Sequence, residues 1–246
     1  MIEFFRITLA GVDIEIECNN RNIFYTCKSY LSNFNHPDLL IRVTQSEMEA
    51  EFAEVSPLEQ SYEGVATSRY YGSVEAVAVE RKIADAMPDF NVFMMHGSVV
   101  AKEGYAYMFT APSGIGKTTR TRLWLSEYPD SIVVNGDKPF LKVTDKEILA
   151  CGAPWCGKEG WNTNTMVPLR AIFLLERAEK DHIEEISLAK AFPVLLQQTH
   201  RPANADSMIK TIQLLQALEG KIHIYKFCST PTVEAVRLAY ETAILK

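Results

Sequence analysis

The chain has no apolar run approaching the ~20 residues needed to cross a bilayer, so no transmembrane helix is expected. It has no excess of positive charge. Lysine and arginine number 25 against 31 aspartate and glutamate, a net charge of −6. That balance argues against nucleic acid or an anionic membrane as the main partner. It has few cysteines and no Cys-x-x-Cys pair. Cys18, Cys27, Cys151, Cys156 and Cys228 are odd in number and widely scattered, which excludes a disulfide framework and suits a reducing cytoplasm. Cys151 and Cys156 have no histidine or cysteine nearby to complete a zinc site. Met1-Ile-Glu-Phe-Phe-Arg6 lacks a basic stretch followed by an apolar core, so no secretory signal is expected and the expected location is cytoplasmic. No internal repeat or low-complexity segment stands out. What remains is an ordinary globular composition, 47% hydrophobic and 23% charged. The 246 residues suit one large domain, or one medium and one small domain.

Against that background one stretch is distinctive: Ala111-Pro112-Ser113-Gly114-Ile115-Gly116-Lys117-Thr118-Thr119. An apolar run, Tyr105 to Thr110, precedes it, and a helix is expected from Thr118 to Glu127. Strand, glycine loop, helix is the order a phosphate-binding loop requires. Glycines let successive backbone N–H groups turn inward around phosphate oxygens. The helix N-terminus adds partial positive charge. Lys117 brings a full charge to the terminal phosphates, and the Thr118 hydroxyl suits a magnesium ion. Ser113, Gly114, Ile115, Gly116, Lys117, Thr118 and Thr119 are therefore the candidate nucleotide-binding residues. The usual pattern opens with glycine where this chain has Ala111. The plain alternative is a glycine turn that caps a helix.

The remaining pattern mixes strands and helices. Phe4–Leu9 and Val12–Glu17 read as a hairpin around Ala10-Gly11. Asn22 to Leu31 reads as a short helix, Leu39–Val43 as a strand, and Thr44 as the cap of a helix to about Phe52. Pro57 to Tyr71 reads as loop or weak strand and as the weak boundary region. The expected division is a small α+β domain over residues 1–72 and a nucleotide-binding domain over 73–246. Ser73 to Met87 has helical spacing, stopped by Pro88. Phe93–Ala101, Tyr105–Thr110, Ile132–Val134, Leu169–Leu175, His182–Ile186 and Lys221–Phe227 read as strands. Pro139–Val143 and Ile148–Ala150 read as a hairpin. Leu188–Gln198, Asp206–Leu218 and Thr232–Leu245 read as helices. The fold class expected is α/β with a mixed sheet.

A nucleotide loop needs a metal-binding acid at a neighbouring strand end. Asp137 directly follows Ile132–Val134, Asn135 and Gly136, and its carboxylate suits magnesium directly or through water. His96, before Gly97 and Ser98, offers an imidazole as acid, base or phosphate contact; a structural histidine is the alternative. Pro154-Trp155-Cys156-Gly157-Lys158 suggests a shaped loop beside the site. Lys158 suits a phosphate or an acidic substrate, and Trp155 a ring or simple packing. Arg170 and Arg201 are further candidate anion contacts, with solvated surface as the alternative.

The combination of His96-Gly97, a hairpin, Ala111 to Thr118 and a valine-rich strand ending in an acidic turn resembles the catalytic domain of HPr kinase/phosphorylase. It is also similar to the nucleotide domain of phosphoenolpyruvate carboxykinase. Small bacterial HPr-serine-kinase-like proteins resemble it further, with a Pro154-Trp155-x-Gly157-Lys158-like loop and a Pro168-Leu-Arg-Ala-Ile-Phe-Leu-Leu-Glu176-like strand. The resemblance spans about residues 73–205. It implies a P-loop core of the carboxykinase type and ATP- and magnesium-dependent phosphorylation of a serine-type hydroxyl. It also implies catalytic roles for His96, Lys117, Asp137 and Lys158, and Thr118 and Asp137 as metal ligands. Such proteins often accompany peptide-modification genes, so the implied acceptor is a precursor peptide, a small protein or a small molecule. Association with further copies of the chain is left open.

The sequence departs from that family at one telling place. Two adjacent aspartates usually end the strand, the first taking the hydroxyl proton and the second serving the metal. Here the pair reads Gly136-Asp137. Asn135 cannot substitute, because an amide does not accept a proton near neutral pH. The long C-terminal segment that grips HPr is also missing, which implies another acceptor. Three readings follow: a serine-type kinase, a nucleotide-binding regulator or adaptor that has lost chemistry, and a carboxykinase-like enzyme.

Overall fold

The computed structural model describes residues 3–54 and 67–245. The loop or weak strand expected over Pro57–Tyr71 lies outside the described residues up to 66, and from Thr67 the chain is helical instead. The chain divides into two compact units, Met1–Ala86 and Met87–Lys246.

In the first unit, β1 (Glu3–Leu9) and β2 (Val12–Cys18) pair antiparallel, with Leu9 opposite Val12. The two-residue turn between them puts Ala10 and Gly11 at φ 53 and 73, the left-handed pair that matches strand twist. β3 (Leu39–Arg42) adds parallel to β2. Side chains alternate: Phe5, Ile7, Leu9, Val12, Ile14 and Ile16 are buried, while their neighbours face outward. α1 (Arg21–Thr26), α2 (Gln45–Glu54) and α3 (Thr67–Ala86) complete the unit. α3 runs across position 72, where the sequence reading sets its boundary. The buried Glu75 carboxylate on α3 accepts the backbone N–H groups of Asn19 and Asn20 at 2.7 and 2.8 Å, fixing the turn after β2.

α2 starts with a capping box. Glu47 accepts the Thr44 backbone N–H at 2.7 Å, and Thr44 Oγ1 accepts the Glu47 N–H at 3.3 Å. Hydrogen bonding from Lys82, then from Thr44, pulls the Glu47 carboxyl down from 4.5 to about 2. A carboxyl lowered by folding contributes stability above its unfolded pKa and loses it as pH falls through the folded value. Amide protection at the start of α2, corrected for the intrinsic exchange rate, should therefore fall as pH drops from about 4.5 toward about 2. Glu47→Gln should flatten the steepening specific to that window.

The second unit is built on a nine-stranded sheet. Its strands are β4 (Val92–Met94), β5 (Ser98–Lys102), β6 (Tyr105–Thr110), β7 (Ile132–Asn135), β8 (Phe140–Val143), β9 (Ile148–Cys151), β10 (Met166–Arg177), β11 (His182–Glu185) and β12 (His223–Ser229). The order is β4-β8-β9-β10-β6-β5-β7, with β12 also on β10 and β11 on β12. β6, β10 and β12 run parallel, and the other pairs are antiparallel. β10 joins the two parts. Met166–Pro168 pair with β9, and from Leu169 the strand pairs with β6.

Period-two alternation builds a core on each face. Val99, Met108, Ile172 and Leu174 point to one side, under α5 (Leu188–Gln198) and α6 (Ala205–Gln216). Val100, Tyr107, Phe109, Phe173 and Leu175 point to the other, under α4 (Lys117–Glu127) and α7 (Val233–Ile244). Both faces of β6 and β10 are thus covered, which explains their nearly continuous apolar sequence. The result is a mixed α/β fold.

One expected strand is two. Phe93–Ala101 is broken at Met95-His96-Gly97, because that backbone finds tertiary partners instead of a continuous ladder. The His96 N–H donates to Gln198 O at 2.7 Å, and the Gly97 N–H to Asp137 O at 2.8 Å. Thr110 Oγ1 donates to His96 O at 2.7 Å. A Cβ at Gly97 would meet Phe109 O at 3.0 Å and Met108 Cε at 2.5 Å, so glycine suits the close approach to β6.

Candidate functional site

β6 ends in the core, and the chain turns through Ala111 to Gly116 before α4 begins at Lys117. Gly114 and Gly116 have φ of 82 and 124, and a Cβ at either would meet open space. Backbone conformation, not crowding, explains the glycines. Ser113, Gly114 and Thr119 are exposed, and Ile115, Gly116 and Thr118 half-buried. Lys117 is only 8% exposed. Its Nζ donates to Ala111 O at 2.8 Å and to Pro112 O at 3.4 Å. Burial pushes its pKa down, opposed by the charge of Asp137.

Asp137 follows β7 through a turn built by Asn135. The buried Asn135 side chain accepts the N–H groups of Asp137 and Lys138 at 2.8 and 2.7 Å. Its amide donates to Ala153 O and Trp155 O, both at 3.1 Å. One side chain thus holds the acidic turn and the Trp155–Lys158 loop together. Gly157, at φ 78, lies against Asp137, where a Cβ would be 3.2 Å from the aspartate's own Cβ.

His96 completes the group. Its Nε2 lies 3.3 Å from Asp137 Oδ1, and its Nδ1 lies 3.0 Å from Gln198 Oε1 at the end of α5. Hydrogen bonding from His96 holds the Asp137 carboxyl below the usual range. Burial opposes this, and the charges of His96, Lys138 and Lys117 add to it. Opposed cations next to a half-buried carboxylate make an arrangement that can receive phosphate oxygens and a divalent cation together.

The structure therefore brings the glycine loop, Lys117, Asp137, His96 and the loop carrying Gly157 into one neighbourhood. Lys158 is exposed on that loop. Arg170 has another role: its guanidinium donates to the Ala243 and Ile244 carbonyls at the end of α7 and lies over the Tyr105 ring. Arg201 is exposed after α5.

The sequence reading missed Gln198, the structural role of Asn135, and two arginines. Arg120 on α4 is buried and donates to Ser229 Oγ, Thr230 O and Thr232 O, tying the β12–α7 loop to the helix. Burial pulls its guanidinium down to about 10. Arg177 closes β10 and donates to the carbonyls of Gly114 and Ile115. Two clefts flank the loop here, of about 550 and 360 Å³, and Arg177 lines both. Only the run of charge after the apolar strand, Glu176-Arg177, hinted at it.

A triphosphate and magnesium fit the residues present. Among the described residues, the buried ammonium of Lys117 has loop carbonyls as its hydrogen-bond acceptors and no carboxylate in direct contact. Among the described residues no group of three or more His, Cys, Asp or Glu could hold a metal. Magnesium asks for less than that, one or two carboxylates plus phosphates and water. No described helix is long and apolar enough to cross a membrane.

No family model matches this chain, and no curated protein does. Among solved structures, the HPr(Ser) kinase/phosphatase from Coxiella burnetii is similar over 50% of this chain and 93% of its own. With 10% identity and a TM-score of 0.29, the relationship is a distant structural one.

Proposed function

We propose that this chain is an ATP- and magnesium-dependent phosphotransferase of the P-loop, HPr-kinase-like type, acting on a serine-type hydroxyl of a peptide, small protein or small molecule. The observation that carries this reading is the convergence of buried Lys117, depressed Asp137 and His96 beside a glycine loop. The amides from Ser113 to Thr119 and the Lys117 ammonium bind the triphosphate. Thr118 and Asp137 would hold magnesium, which when bound neutralises charge on the phosphates. With Nδ1–H donating to Gln198 Oε1, His96 in its neutral form takes the acceptor's proton at Nε2 as the acceptor oxygen bonds to the γ-phosphorus, and the resulting imidazolium pairs with Asp137; the bond to the bridging oxygen breaks and its electron pair leaves with ADP. Exposed Lys158 faces the acceptor side.

A second reading has its own support. A Cβ at Gly136 would sit 3.0 Å from Cys156 O and 3.4 Å from Trp161 Cβ. The position where a base aspartate would stand is tight, and a side chain there needs the Cys156 carbonyl to give by a few tenths of an ångström. That favours a nucleotide-binding regulator unless His96 supplies the base. Transfer or hydrolysis of the γ-phosphate, followed with labelled magnesium–ATP and a seryl peptide, separates the two. We expect turnover, lost with Asp137→Asn and reduced ~10²–10⁴-fold in His96→Gln with ATP binding retained. ATP binding with neither transfer nor hydrolysis would leave the regulator.

A further inference from the structure

We propose that Arg177 is a positioning residue that sets the glycine loop in its phosphate-receiving form; this rests on the nucleotide reading above. Arg177 is exposed at the end of β10, and β10 runs parallel beside β6, which feeds the loop. That adjacency lets one guanidinium span two consecutive peptide units. Nη2 donates to Gly114 O, and Nε donates to Ile115 O at 3.4 Å.

The consequence follows from peptide geometry. In a trans peptide the C=O of one residue and the N–H of the next point in opposite directions. With the Gly114 and Ile115 carbonyls turned toward Arg177, the N–H groups of Ile115 and Gly116 are turned away from it. Backbone angles agree. Gly114 and Gly116 have φ of 82 and 124, and Ile115 between them is outside the left-handed region. Alternation of this kind makes successive N–H groups converge on an anion. The planar fork can hold both carbonyls at once, which the single ammonium of a lysine cannot. Arg177 acts through the loop and is not itself a phosphate ligand.

Titration calorimetry with magnesium–ATP and with magnesium–tripolyphosphate, which lacks a base and sugar, tests this. Arg177→Ala should weaken both about ten-fold and by the same factor, and Arg177→Lys should fall between. In the unliganded protein, the NMR order parameters of the Ile115 and Gly116 N–H groups should fall in Arg177→Ala with the thermal midpoint little changed. A loss confined to ATP would mean that Arg177 touches the nucleoside and would overturn the proposal, as would unchanged affinity and order parameters. If the wild type binds neither ligand, the nucleotide reading fails, and the order parameters alone decide whether Arg177 fixes the loop.

Discussion

Lys117→Ala should abolish stabilisation by magnesium–ATP while leaving the unliganded protein about as stable as before. At ligand near one hundred times Kd, binding to the folded state alone adds about 2.7 kcal/mol, or roughly 5–10 °C for a unit of this size. The lysine's part is electrostatic: its ammonium has loop carbonyls for acceptors and is desolvated. A bound triphosphate adds a partner of opposite charge where screening by water is weak. Without ligand the same burial works against the lysine. A base whose pKa is lowered by folding binds fewer protons in the folded state, so its charged form opposes folding at neutral pH. Alanine removes that penalty along with the 2.8 Å bond to Ala111 O. Differential scanning fluorimetry with and without magnesium–ATP checks both halves. A variant that kept the ligand shift would sink Lys117 as a phosphate contact.

The parts of this molecule that were legible in sequence are those set by local rules. β6 and α4 fall where the apolar run and the glycine loop put them, because strand burial and helix start are encoded within a few residues. The helix Leu188–Gln198 falls where it is read from the sequence, and in the structure the Ser187 hydroxyl caps it by accepting the Lys190 N–H. The site is less legible because its links are long-range. His96 and Gln198 are 102 positions apart, and nothing local marks the glutamine. Asn135 could be excluded as a base from its chemistry, but its hold on Ala153 and Trp155 depends on where that loop returns. Arg177 belongs to a charged strand end that looks solvated until β6 lies alongside. β10 extends beyond the apolar Leu169–Leu175 run because its ends pair with β9 and β12, not because of their own hydrophobicity.

Asn135→Leu should be the most damaging change at the site, costing about 3–5 kcal/mol of stability. The side chains are similar in size, so the cavity term is small. What changes is hydrogen bonding. Leucine leaves the Asp137 N–H and the Trp155 carbonyl without the partner they have now, at roughly 1–3 kcal/mol for each buried group. It also removes acceptance of the Lys138 N–H. The Ala153 carbonyl suffers less, because Asn162 Nδ2 also donates to it at 2.9 Å. The damage would not stay local. With the turn released, Asp137 loses its fixed position near Lys117 and His96, and Gly157 loses the surface it packs on. Urea unfolding followed by the summed fluorescence of Trp124, Trp155 and Trp161 should show the lower midpoint. At temperatures where the variant is still folded, magnesium should no longer strengthen ATP binding. A variant folded as stably as wild type would mean that the acidic turn is held by the strand alone. Retained magnesium dependence despite lower stability would mean that Asp137 keeps its place without the asparagine.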